Sequence, residues 1–170
     1  MNILLAASLY FGTFLTGVNE LKIKSDAVKI SFIGDKETAG TIGGFQATIL
    51  FDKEDLANSS ISGTVDVNTI STETPKRDEH LKSADYFDAK KFPTMGFKST
   101  SITAEADSYI MKGMMTIKGI EHAESIKFTF ADNTFKGSST IHLSHYKVGS
   151  YGDKKPEDTN VKIRFVVPVM

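Results

Sequence analysis

Residues 109–117 read Tyr109-Ile110-Met111-Lys112-Gly113-Met114-Met115-Thr116-Ile117. Tyr109, Met111, Gly113, Met115 and Ile117 alternate with Ile110, Lys112, Met114, Thr116 and Lys118. Successive side chains of a strand point to opposite faces, so period two marks a strand with one buried face. The same period extends in both directions. Toward the N-terminus it runs through Val28, Ile30 and Phe32, then Phe45, Ala47, Ile49 and Phe51, then Ile61, Gly63, Val65 and Val67, then Met95, Phe97 and Ser99. Toward the C-terminus it runs through Ile126, Phe128 and Phe130, then Phe135, Gly137, Ser139 and Ile141, then Val161, Ile163, Phe165 and Val167.

Turn residues separate most of these runs: Gly34-Asp35, Gly43-Gly44, Ala106-Asp107 and Asp132-Asn133. Short connections make neighbouring strands antiparallel. Roughly eight short strands with little helix predict an all-β fold, a sandwich or an antiparallel barrel, and eight strands closed into a barrel enclose either packed side chains or one small ligand. The inward face carries Phe32, Phe45, Phe51, Phe97, Phe128, Phe130 and Phe165, with glycines at 63, 113 and 137. A glycine inside a strand marks a bend or a close approach by something else. Two readings follow for these glycines: corner kinks, or space for a ligand.

One stretch breaks the pattern. Residues 75–93 read PKRDEHLKSADYFDAKKFP, highly charged and without period two. They predict a short helical cap over one end of the barrel, at about residues 78–88, with Asp78 capping the helix and Pro93 beyond its end. Residues 148–160 carry Gly149, Gly152 and Pro156 and read as a long loop.

The chain has 170 residues, 40% hydrophobic and 24% charged, with a net charge of −1. That suits one domain with a real core. No basic run stands out, so nucleic-acid binding is not expected. With no cysteine, disulfides, thiolate metal sites and cysteine nucleophiles are excluded. Residues 3–15 form an uncharged apolar run, which divides the chain into residues 1–19, a signal peptide or apolar arm, and a barrel domain over residues 20–170. A periplasmic or secreted location is the expectation. The histidines show no metal-binding spacing, and His142 and His145, three apart, would point to opposite faces of a strand. Neither a metal site, a cofactor nor a catalytic residue is therefore expected.

Arg77-Asp78-Glu79-His80-Leu81-Lys82-Ser83-Ala84-Asp85-Tyr86-Phe87-Asp88, followed by Phe92-Pro93-Thr94-Met95-Gly96-Phe97-Lys98-Ser99-Thr100, closely resembles the bacterial YceI-like family of polyisoprenoid-binding, lipocalin-like barrels. Phe45-x-Ala47-x-Ile49-x-Phe51, the Val65-Asp66-Val67 run and the glycines at 113 and 119 extend the likeness from about residue 21 to the C-terminus. The resemblance implies an eight-stranded barrel that holds a long isoprenoid or isoprenoid quinone and is not an enzyme. It places Arg77, Asp78, His80, Leu81, Ser83 and Phe87 at the barrel mouth. Phe32, Phe45, Phe51, Val65, Phe97, Met111, Met115, Phe128, Phe130 and Phe165 are the cavity-facing candidates. Transient membrane contact and a homodimer accompany this reading. The chain departs from the family pattern at Leu143, His145 and Lys147, where members often carry Arg, Asp and Gly. Two other readings stay open: an enzyme acting on a lipid or quinone, with His80 and Asp78 or Asp85 as acid and base, and a solid barrel with a structural or protein-binding role.

Overall fold

The computed structural model describes residues 17–34 and 38–170; the apolar run 3–15 and Asp35 of the first turn lie outside them. Eight strands form one closed antiparallel barrel in sequence order: β1 (Lys29–Ile33), β2 (Ala39–Leu50), β3 (Ser60–Ser71), β4 (Thr94–Glu105), β5 (Ser108–Ile117), β6 (Ile120–Ala131), β7 (Thr134–His142) and β8 (Asn160–Pro168). Each strand pairs with the next, and β1 closes the ring on β8 with Ser31 opposite Arg164. Closure leaves no open sheet edge among the described residues.

The turns explain the meander. At Asp132-Asn133 both residues have positive φ (50° and 52°), as do Lys118 and Gly119 (52° and 73°). Two central residues with φ above zero make the type I′ turn, whose twist matches that of the flanking strands. Gly43-Gly44 is not the expected turn. Both residues lie inside β2, where the register against β3 shifts twice and Gly44 takes φ 65°. The pair is a bulge that bends the barrel wall. A second bulge between Ser99 and Ser101 changes the phase of β4 and turns Ile102 inward, 5% exposed.

The inward glycines are not bare kinks: aromatic rings pack against them, and Gly63 also lines the central cavity. The Phe165 ring lies directly over Gly137, its cross-strand partner. Gly63 lies against Phe45 at 3.0 Å and Ala47 at 3.1 Å, measured from the position of an added Cβ. Phenyl rings from neighbouring strands thus occupy the room the missing side chains leave.

The helix begins earlier than the pattern suggested. α1 spans Pro75–Lys82, with Pro75 at its first position, where the missing N–H costs nothing. Hydrogen-bonded turns follow it: Phe87 N–H donates to Leu81 O and Phe92 N–H to Asp88 O. The connection after β7 is not an open loop. It folds as three short 3₁₀ turns, Leu143–Tyr146, Gly149–Tyr151 and Pro156–Asp158, with Val148 and Thr159 buried. Lys147 takes φ 50°, the left-handed conformation that glycine adopts without strain. A glycine in the family pattern at this point is therefore accounted for by backbone shape.

The two ends differ. At the floor, Phe51 stands at the centre of an aromatic cluster, with ring centroids 5.2 Å from Tyr109, 5.7 Å from Phe128, 5.2 Å from Phe130 and 5.3 Å from Phe135. Leu21 and Ile23 pack against the same core beneath it. The mouth is capped by α1 and the β7–β8 connection.

Gly137→Val is expected to collide with Phe165 and with the Lys127 carbonyl, 2.7 Å from the added Cβ. Overpacking of this kind costs about 1–3 kcal/mol. Urea unfolding of the variant beside the wild type measures it, and an unchanged midpoint would show that the ring does not fill this space.

Candidate functional site

Between floor and cap the barrel encloses a cavity of about 390 Å³. Small-molecule sites commonly span about 300–1,000 Å³. A solid barrel is therefore not what this sequence builds. The walls are apolar: Phe45, Ile49, Ile61, Val65, Phe97, Met111, Met115, Ile126, Phe128, Ile163 and Phe165 all face it. At the mouth it meets Phe32, Arg77, His80, Leu81, Tyr86, Phe87, Leu143 and Tyr151.

Most of the residues singled out from sequence face this space, and four do not. Phe51 and Phe130 point inward, as their period requires, but sit at floor height inside the aromatic cluster. Period two reports the face a residue occupies and not its position along the barrel axis. Asp78 does not cap α1, whose N-cap is Thr74, and does not face the cavity. Its Oδ1 accepts from Thr72 N–H at 2.8 Å and from Thr72 Oγ1–H at 2.7 Å. Ser83 terminates the helix instead of lining the cavity, its hydroxyl donating to His80 O at 2.7 Å. Ile117 and Ile141, inward by their period but not named as cavity residues, also face it, and Ile42, Ile70 and Tyr151 were missed. Tyr151 lay in the stretch read as loop, where no period marks a face.

The cap carries the polar groups. His80 and Tyr86 rings lie 4.6 Å apart, and Tyr86 meets Tyr151 edge-on at 6.4 Å. Arg77 is exposed at the rim, and no acid among the described residues lies within ion-pair distance of it. The acid–base pairing that an enzyme would need from His80 and Asp78 is not assembled, because Thr72 holds the Asp78 carboxylate. That hold also lowers the Asp78 pKa, the Thr72 hydroxyl bond being the largest cause.

The positions that depart from the family pattern form a second cluster. Leu143 lines the cavity and is buried. His145 stacks on His122 of β6 at 3.9 Å and stands 5.1 Å from His142. β7 ends at His142, so the alternation expected to separate His142 from His145 does not reach His145. His122 is half-buried on the inner face of β6. Tyr146 is fully buried and donates to Glu124 Oε1 at 2.9 Å. Burial, with the Glu124 charge, raises the Tyr146 pKa and keeps its phenol protonated. Burial lowers the His145 pKa, and the neighbouring histidines add to the effect.

The fold and its apolar interior define a lipocalin-like barrel with one internal site. The sequence profile of the YceI-like domain matches residues 21–169, and the chain belongs to that family. It is 31% identical over 120 residues to protein YceI of Salmonella arizonae, covering 67% of this chain and 63% of that protein. It is 30% identical over 92 residues to a UPF0312 protein of Photorhabdus laumondii, covering 54% of this chain and 48% of the relative. The matches thus span less than two thirds of either relative. The crystal structure of Burkholderia cenocepacia BcnA superposes with a TM-score of 0.78 at 28% identity, over 86% of this chain and 98% of that one. A polyisoprenoid-binding domain from Saccharophagus degradans, implicated in plant cell wall breakdown, shares the fold at a TM-score of 0.60 and 9% identity, over 86% of this chain and 95% of that one.

The Asp78–Thr72 contact predicts a pH dependence. A carboxylate with a lowered folded-state pKa stabilises the fold above its ordinary value of 3.8 and loses that contribution as pH falls through the lower folded value. Asp78→Asn is therefore expected to flatten the acid limb of melting temperature against pH relative to wild type. Parallel acid limbs would show that this contact carries no linkage.

Proposed function

We propose that this chain binds one long-chain amphiphile of the isoprenoid class inside its barrel, acting as a carrier, store or scavenger and not as a catalyst. The apolar chain lies in the cavity, and its polar end reaches the rim at Arg77, His80, Tyr86 and Tyr151. The observation that carries the reading is a cavity walled by aliphatic, aromatic and methionine side chains whose polar groups gather at one end. Its floor is closed by the Phe51 cluster, so a cargo enters and leaves past α1. Membership of the YceI-like family supports the reading, as does the shared fold of the Saccharophagus degradans polyisoprenoid-binding domain.

Energetics favour exchange over permanent capture. Each methylene removed from water contributes about 0.8 kcal/mol, and a bilayer offers nearly the same. Transfer between membrane and barrel is then close to balanced, which suits a carrier that must release its cargo. Met111 and Met115 let the wall adapt to an irregular chain. Isoprenoid quinones fit the same description and are a second cargo within this reading. Exchange at a membrane on the periplasmic or secreted side belongs to the proposal, and N-terminal sequencing of the mature protein tests that location.

Met111→Trp and Ile126→Trp place an indole in the cavity. A fluorescent polyprenol titrated into the delipidated protein is expected to bind the wild type, and at least about tenfold more weakly to either variant, equivalent to ~1.4 kcal/mol. Lys112→Trp, on the outer face of β5, is the control and is expected to bind like wild type. Equal binding by all four proteins, or none by wild type, would overturn the assignment.

A further inference from the structure

Behind the cavity lining that Leu143 supplies, the Leu143–Tyr146 turn folds against the inner face of β6. His122 and Glu124 share that face, two residues apart on the strand, and the turn brings His145 onto them. One ring nitrogen from each histidine and one carboxylate oxygen lie within 4.8 Å of one another. We propose that His122, Glu124 and His145 form a site for a divalent transition-metal ion of the zinc type.

The donor chemistry fits such an ion. Two imidazoles and a carboxylate are ligands that zinc accepts, with a remaining position open to water. The spacing fits as well. His122 Nδ1 lies 3.3 Å from Glu124 Oε1. Tetrahedral ligand atoms with bonds of about 2.0–2.1 Å stand roughly 3.3 Å apart. At that distance the two atoms are close, yet they are not aligned as a hydrogen bond.

The nitrogens also lack other partners. Nδ1 of His122 and Nδ1 of His145 are buried, and neither makes a hydrogen bond. Buried polar side-chain atoms are mostly satisfied, so two orphans in one cluster call for a partner. A cation between them and the carboxylate would supply it. The face-to-face rings, 3.9 Å apart and inclined by 23°, must splay for their lone pairs to converge, a rotation about side-chain torsions.

The surroundings resemble the support of a metal site. The Tyr146 hydroxyl donates to Glu124 Oε1 at 2.9 Å and orients the carboxylate. His142 Nδ1–H donates to the Pro156 carbonyl at 2.7 Å, which fixes its ring 5.1 Å from that of His145. Access is present, because the His122 side chain is 39% exposed. An ion here would tie the β7–β8 connection to β6, directly behind Leu143 in the cavity wall. The site is independent of the cargo assigned above.

Calorimetric titration of Zn²⁺ into the chelator-treated full chain tests the site. One equivalent per chain is expected, with a rise in melting temperature. His122→Ala and Glu124→Gln are each expected to weaken binding beyond the roughly 10–100-fold that loss of a supporting partner brings, the smaller loss expected for Tyr146→Phe. Glu121→Gln, on the outer face of the same strand, is expected to bind like wild type. Glu124→Gln keeps an acceptor for Tyr146, and circular dichroism checks that each variant is folded. No stoichiometric uptake by wild type, or undiminished uptake in a His122→Ala, His145→Ala double variant, would overturn the proposal.

Discussion

The pairing of β1 with β8 joins the two ends of the sheet, from Lys29 opposite Val166 to Ile33 opposite Lys162. Without it the sheet would be open, with two bare edges and no interior. With it, eight strands must tilt and coil around a space whose width is set by strand number and stagger. The side chains then decide whether that space is filled. Here they fill it at the floor, where Phe51, Tyr109, Phe128, Phe130 and Phe135 interlock. Above the floor, phenyl rings pack over glycines on the neighbouring strand. Phe165 on Gly137 and Phe32 on Gly40 are two examples. Both rings line the cavity and supply apolar surface to its wall.

The cap depends on this frame. α1 gains little from its own length, since eight residues are too few for a stable isolated helix. Its position comes from tertiary contacts. Thr72, the residue after β3, holds Asp78, and Ala89 is buried with Val67 and Ile70 in a small apolar cluster that Leu81 and Phe87 join. The β7–β8 connection is held in the same way by Tyr146 and Val148, both 0% exposed. The rim groups Arg77, His80, Tyr86 and Tyr151 are thus carried on segments fixed at their bases. The mouth thus combines polar groups with the apolar side chains of Leu81, Phe87 and Leu143.

Strand order and closure were legible in the sequence because period two and short turns constrain both. The family was legible in residues 77–100. Height along the barrel was not. Phe51 and Phe130 have the same inward phase as Phe97 and Phe165, yet they form the floor, since a repeat of two carries no information about depth. Gly43-Gly44 was misread because a double glycine marks a bulge as well as a turn, and only the partner strand distinguishes them. The helix start was misjudged for a related reason: Asp78 is a favourable cap residue in isolation, but Thr72 competes for its carboxylate. His145 escaped because strand alternation was extended three residues past His142, the last residue of β7. Its partners, His122 and Glu124, are distant in sequence and meet it only through the fold.

The role proposed for the barrel rests on the space between floor and cap holding an apolar molecule. Native mass spectrometry of protein purified gently and without detergent tests it directly. A hydrophobic mass should accompany the chain and leave on extraction with organic solvent, while the protein stays folded. A chain that is always measured at its bare mass, and stays so after incubation with isoprenoid-containing vesicles, would contradict the claim.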